Sequence, residues 1–458
     1  MEILELSMKA FASFMWGLPL IFLLVGGGFY FTLHSKFRHF FYLGHAFALL
    51  SGKFSSDQVE LKGGISHFHA LSTALAGTMG LGNITGVAVA LTVGGPGAIF
   101  WMWVTAIVGI STKFYTASLA IMYRGYDDAG DLQGGPMYVI REGLGRKWMP
   151  LAWLFCVAGM MGTLPVFQVN QLVQVLRDTL AIPNGLATAC SHFVFDFSVG
   201  ALLALIVFSV AIGKIERVSG VAARLVPLIM VSYVSVTALI LISHWSEIPS
   251  TLWFIVTDAL SGEAVAGGVV GTVILIGVQR GAFSNEAGIG TESLAHGAAK
   301  TNEPAREGLV AMLGPIADTL IVCTCTALTL LVTGVWNSGA VGVTMAAIAY
   351  ERTLPGYGGY LLLVMVFVLS MTTVMTYWYY GSKCMSFLFG TKNEKYYMFF
   401  YMSLILVGAL VSLDVVINLL DGSYAMMAIP TMISTLLLAG RVKESANKYF
   451  EKLDTDTL

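Results

Sequence analysis

The sequence predicts an all-α polytopic membrane protein of about eleven transmembrane helices: one N-terminal helix plus a five-plus-five inverted repeat with two broken helices. Three observations predict it: the composition, the spacing of polar punctuation between long apolar runs, and two runs interrupted in mid-membrane. Of 458 residues, 56% are hydrophobic and only 11% charged, whereas soluble domains carry about 25% charged residues. Most segments between short polar breaks reach the ~20 apolar residues that cross a bilayer, so the lipid bilayer is the first partner. The net charge of −2 gives no basic field for nucleic acid.

The N-terminus has Glu2, Glu5 and only Lys9 ahead of a long apolar run. A cleavable signal has a basic start and a shorter apolar core, so this run reads as a retained first helix. Apolar runs and their Gly, Pro and charge punctuation place spans near 12–33, 67–93, 97–123, 148–181, 193–213, 218–243, 264–294, 306–334, 358–388, 396–418 and 423–440. Segments 134–145 and 339–354 read as amphipathic helices, the second in an outer loop. The chain then divides into 1–66 (first helix and amphipathic cytoplasmic segment), 67–243 (first repeat), 264–440 (second, inverted repeat) and 441–458 (a solvated tail). Basic residues such as Lys36, Arg38, Lys53, Lys62, Arg124, Lys214, Lys300, Lys392 and Arg441 fall on one side, and only Lys9 and Arg352 on the other. The positive-inside rule places the C-terminus in the cytoplasm and the N-terminus outside the cell (inner) membrane.

Span two contains Ala76-Gly77-Thr78-Met79-Gly80-Leu81-Gly82-Asn83, with glycines at 77, 80 and 82. Glycine, Thr and Asn are poor helix formers. Span seven reads Gly277-Val278-Gln279-Arg280-Gly281-Ala282-Phe283-Ser284-Asn285-Glu286-Ala287-Gly288-Ile289-Gly290 and carries two charges. Non-helical backbone at membrane depth is tolerated only inside protein or beside a cavity. Two interruptions in corresponding places of two halves point to a transporter binding site. Exposed N–H groups at a half-helix start attract a carboxylate, and exposed carbonyls at a half-helix end suit a hard cation.

Other polar residues have structural readings. Cys156, Cys190, Cys323, Cys325 and Cys384 read as buried small hydrophobes, without disulfide or zinc spacing. His67 and His69 point apart on a helix and read as interface histidines. Asn170 and Gln171 read as interhelical hydrogen-bond residues if they do not face the pocket, and Arg280 and Glu286 as gate or loop anchors. Asp258 and Asp318 are candidate relay groups; Pro315 loosens the helix that carries Asp318.

A secondary symporter explains both breaks. A channel needs repeated charged rings or carbonyl filters, an intramembrane enzyme a nucleophile–base set or H-E-x-x-H, and a primary pump a G-x-x-x-x-G-K-[ST] loop. The sequence has none of these, so it reads as a non-enzyme without an organic cofactor.

The motifs G-T-M-G-L-G-N-I-T-G-V-A (Gly77 to Ala88), G-G-P-M-Y (Gly134 to Tyr138), R-G-A-F-S-N-E-A-G-I-G (Arg280 to Gly290) and Y-Y-G-S-K-C (Tyr379 to Cys384) carry a resemblance over nearly the whole chain. Here the sequence resembles the alanine or glycine:cation symporter family. The resemblance implies the inverted-repeat fold of sodium-coupled amino-acid transporters, import of a small neutral amino acid such as alanine or glycine, and sodium as coupling ion, with proton coupling or a glutamine, serine or threonine preference as the alternatives. It places Thr78, Gly80 and Asn83 at the first break and Phe283, Ser284 and Asn285 at the second. It puts Phe167 and Gln168 on the pocket side of span four. It also sets the hydroxyls of Thr372 and Thr373 against carbonyls near Ala76 and Met79 to hold sodium. In span nine the family's usual G-W pair is Thr376-Tyr377 here, and Leu81 stands where the family has a second Thr. These departures touch the pocket and therefore bear on which amino acid it takes.

Overall fold

A computed structural model describes residues 2–53, 64–188, 191–260, 269–411 and 414–455. Lys62, Cys190 and the start of the expected seventh span lie outside the described residues. Among the described residues, eight helices are long and apolar enough to cross a membrane, or nine if the bent pair His67–Thr78 and Gly82–Gly94 is one span. Two more expected spans correspond to the helices Val269–Asn285 and Glu394–Leu410, each of 17 residues. At 1.5 Å per residue they reach ~26 Å, the short edge of the crossing range. The expected eleven spans are reached only by counting both.

Burial sorts the helices. Gly97–Met122 is central, with 83% of its apolar window inside the protein, whereas the windows of Phe193–Ala211 and Lys214–Ser243 are 22% and 28% buried. The latter two turn Leu202, Leu205, Leu228 and Val231 outward, as helices facing hydrocarbon do. Gly97–Met122 packs against Val269–Asn285 and Pro304–Ala311. The contact is close: a Cβ on Gly308 would lie 2.3 Å from Ser118 Oγ. Asp258, a candidate relay, instead accepts the Gly97 N–H at 2.7 Å at the start of this helix. Asn170 donates to the carbonyls of Gly408 and Val411, the interhelical role read from sequence.

The fourth span divides at Pro165 into Met149–Gly162 and Val166–Leu176. The proline sits just ahead of the second piece, where its missing N–H costs least, and Phe167 and Gln168 fall in that piece's first turn. The segment at 134–145 is helical from Pro136 to Leu144. Met137, Tyr138, Val139 and Ile140 are all buried, so it is a wedge within the bundle, not a surface amphipath. The outer-loop helix expected at 339–354 is Gly342–Thr353.

The end of the chain departs from expectation. Residues 441–455 do not form a solvated tail: the last helix runs unbroken from Asp414 to Asp454. Its terminal turns bury Val442, Ala446, Tyr449 and Phe450. Tyr42 stacks on Phe450 at 4.2 Å, and His45 bonds the Tyr449 hydroxyl at 2.7 Å. The tail's mixed charge belongs to one helix face, while its apolar residues recur on the other at helical spacing.

Candidate functional site

The first break lies where the glycines place it. The helix His67–Thr78 stops, Met79 takes ψ 78°, and the chain resumes at Gly82, bent by 51°. The Gly80 N–H, which a continuing helix would give to Ala76, goes to the Thr78 carbonyl and to Asn83 Oδ1 at 3.2 Å. The freed Ala76 carbonyl accepts the Thr373 hydroxyl at 2.9 Å. Thr372 turns its hydroxyl back to the Val368 and Leu369 carbonyls of its own helix. A Cβ on Gly80 would lie 2.7 Å from Thr373 Oγ1, so only glycine admits this approach. The Leu81 N–H, at the start of the second half-helix, is held by Gln168 Oε1 at 3.4 Å.

The second break comes later than the first four glycine and polar positions of its motif suggest. Val269–Asn285 stays helical through Phe283, Ser284 and Asn285, and the turn occupies Glu286 to Gly290 before Thr291–His296 begins. Glu286, Gly288 and Gly290 have φ of 57°, 85° and 95°. A carboxylate residue held at positive φ carries local strain, which surrounding contacts must outweigh. Those contacts are hydroxyls: Tyr424 and Thr291 donate to the Glu286 carboxylate, and Tyr377 does so at 3.2 Å. Asn285 Oδ1 caps the Ala287 N–H at 3.0 Å.

A third carrier element joins the two breaks. Pro315 is followed by a wide π-helical turn, Ile316–Cys323, which turns Asp318 inward. Its carboxylate, fully buried, accepts Asn83 Nδ2 at 2.5 Å from beside the first break and Ser284 Oγ at 2.7 Å from the helix that leads into the second. Thr319 Oγ1 adds a third bond at 2.9 Å. Cys323 Sγ lies 3.1 Å from Ser284 Oγ, so this thiol belongs to a polar cluster and is more than the small hydrophobe read from sequence.

A cavity of ≈ 730 Å³, open solvent at its mouth included, lies against the first break and the helix that leads into the second. Gly82, Thr85 and Gly86 line it from the first break, and Phe283 and Arg280 from the second helix. Phe167 and Gln168 come from span four, Tyr377 from span nine, and Ile417, Leu420 and Asp421 from the last helix. Arg280 Nη2 pairs with Asp421 Oδ2 at 3.5 Å across the space.

Of the residues singled out in sequence, Phe167, Gln168, Phe283 and Tyr377 therefore line the cavity directly. Gly80 lies behind them against Thr373. Asn83 and Ser284 face Asp318 and not the open space. Asn285 turns toward Gly109. Thr78 bonds the Leu75 carbonyl. Thr376 packs its methyl toward Gly77, between two helices.

Residues 1–457 match the model of the family described as sodium:alanine symporters. The chain belongs to that family. It is 37% identical over 449 residues to the sodium/alanine symporter AgcS of Methanococcus maripaludis, covering 96% of each chain. It is 30% identical over 450 residues to the probable sodium/glutamine symporter GlnT of Bacillus subtilis, covering 98% of this chain and 91% of the other. A putative sodium/proton-dependent alanine carrier, YrbD of Bacillus subtilis, is 33% identical over 403 residues, 84% of this chain and 79% of the other.

Within this sodium:alanine symporter family member, sequence reading missed Asp421, Tyr424 and Lys113. Asp421 and Tyr424 are three apart and share one helix face. An acidic residue at the start of an apolar span is the signal that marks them. Lys113 sits within span three, 1% exposed, and lies within electrostatic reach of both Glu286 and Asp318. A lysine inside an apolar run is the same kind of signal.

Proposed function

We propose that this chain imports small neutral amino acids together with sodium, by alternating access across the cell membrane, with its N-terminus outside and its C-terminus in the cytoplasm. The observation that carries the reading is one cavity bordered by the first interruption and by the helix that leads into the second, with the freed Ala76 carbonyl accepting a hydroxyl from span nine. A zwitterion presents a carboxylate and an ammonium. The N–H end of the second half-helix, at Gly82 in the cavity wall, suits the carboxylate. The Arg280–Asp421 pair at the mouth suits closure over both charges. The side-chain end meets Phe167, Phe283 and Tyr377, so a charged side chain would go uncompensated there. Within this reading 67–243 and 264–440 are the two inverted halves, and no organic cofactor takes part.

Sodium is assigned to the oxygens of Ala76, Met79, Thr372 and Thr373. Hard cations take oxygen ligands, and a carbonyl released by an interrupted helix has a lone pair to spare. Thr373→Ala is expected to raise the sodium concentration for half-maximal uptake about tenfold, the effect of losing one hydrogen-bond-strength ligand, and to leave the order of preferred amino acids unchanged. Sodium titration of uptake into proteoliposomes measures this. An unchanged sodium requirement in both Thr372→Ala and Thr373→Ala removes the assignment.

The whole reading is tested by the same preparation. Uptake of alanine, glycine, serine, threonine and glutamine is measured while sodium, lithium and proton gradients are imposed one at a time. Sodium-driven accumulation of a neutral amino acid is expected; accumulation driven by protons alone favours the alternative coupling. Tyr377 also tunes substrate size. Tyr377→Trp enlarges the wall residue and removes the hydroxyl bond to Glu286, so glutamine is expected to lose several-fold against alanine in competition. A competition order untouched by Tyr377→Trp places the side-chain end of the pocket elsewhere.

A further inference from the structure

The ends of the broken helices that point away from the cavity meet at a buried triad. His67 begins the first broken helix, about 17 Å from its break at 1.5 Å per residue. His296 ends the short helix that follows the second break. Both imidazoles bond one carboxylate, that of Glu307: His67 Nδ1 to Oε2 and His296 Nδ1 to Oε1, each at 2.5 Å. All three side chains are 8% exposed or less. Glu307 belongs to Pro304–Ala311, the helix seated tightly on the central Gly97–Met122.

The backbone repeats the same connection. The Ile65 N–H donates to the Ala298 carbonyl at 2.9 Å, and the Lys300 N–H to the Ile65 carbonyl at 2.8 Å. A polar chamber of ≈ 920 Å³ borders this junction, lined by Gly64, Arg124, Gly297 and Ala298 among others. The triad therefore stands between the two breaks and a second polar space at the opposite end of the bundle from the Arg280–Asp421 pair.

We propose that His67, Glu307 and His296 form a latch, which holds the far ends of both broken helices to the scaffold and whose release opens the path into the second chamber. A carboxylate fixed on a central helix grips one imidazole from each interrupted helix, so neither helix end parts from the scaffold without breaking a buried charged hydrogen bond. Two helices held by one anchor leave it together. The purpose of the latch rests on the symport reading, but its test does not require transport.

The test is hydrogen–deuterium exchange of the full chain in lipid nanodiscs, comparing wild type with Glu307→Gln, His67→Gln and His296→Gln. Each variant is expected to speed exchange about tenfold or more in both 64–70 and 291–301, with the Ile65 and Lys300 amides as the nearest reporters, and to leave 358–389 at the wild-type rate. Because the imidazoles share one carboxylate, losing either histidine is expected to loosen both segments. The proposal is overturned if exchange is unchanged, if it rises only beside the substituted residue, or if all three variants raise it evenly along the chain, the mark of a general stabiliser. Failure of sodium-driven uptake in wild type with this exchange pattern intact would count against the symport reading alone.

Discussion

Asp318→Ala is expected to lower amino-acid uptake at least ~100-fold while the protein remains in the membrane. The carboxylate bonds Asn83, beside the first break, and Ser284, on the helix that leads into the second. Its loss strands the Asn83 amide and the Ser284 hydroxyl in a buried region, at a cost of about 1–3 kcal/mol each, and every 1.4 kcal/mol is tenfold. Asn83→Ala attacks the same junction from the other side. It removes the cap on the Gly80 N–H together with one donor to Asp318, so its loss of uptake is expected to be comparable. Asn285→Ala removes the Ala287 cap from the second break and is expected to abolish uptake as well. Initial rates normalised to membrane-embedded protein measure all three. Uptake within about twofold of wild type in Asn83→Ala would show that the junction between the breaks does not have to be intact for transport.

Arg280→Gln is expected to cost about 2 kcal/mol or more in substrate capture, a rise of ~30-fold in KM. The guanidinium and the Asp421 carboxylate are largely withdrawn from water, with side-chain exposures of 18% and 10%. Breaking a mostly buried pair leaves an uncompensated charge, and that penalty exceeds the net strength of the pair itself. Asp421→Asn carries the mirror-image penalty. The double variant Arg280→Gln/Asp421→Asn has no stranded charge and is expected to recover most of the loss. Uptake kinetics on the two single variants and the double variant give the coupling as a double-mutant cycle. Additive losses would show that the two groups act separately and do not close the mouth as a pair.

The first break was legible because its cause is local. Glycines at 77, 80 and 82 weaken a helix wherever they stand, and the chain bends at Met79 to Leu81 beside them. The second break was legible in existence but not in position. Its motif has Gly, Ser and Asn from Gly277 onward, yet the helix persists through Asn285 because packing on Gly97–Met122 sustains it. The turn waits for Gly288 and Gly290, whose positive φ the motif does not itself locate. Phe167, Gln168, Phe283 and Tyr377 were placed at the pocket by resemblance, and the cavity borders all four. Asp421 and Lys113 are single charges beside or within apolar spans, and the groups they meet, Arg280 for Asp421 and Glu286 and Asp318 for Lys113, lie far away in the chain.

By itself the sequence determined the membrane class, the run of helices, the family and the fact of two interruptions, since hydropathy, glycine content and motif are properties of neighbouring residues. Only the tertiary structure decided which polar groups meet. Asn83 and Asp318 are 235 positions apart, and His67 and Glu307 are 240 apart. Each pairing depends on how helices are rotated about their own axes. For helices buried nearly all round, such as Gly97–Met122, hydropathy is almost uniform around the circumference and leaves that rotation open. It is settled by close glycine contacts and by the requirement that each buried carboxylate find its donors, conditions met between segments distant in the chain.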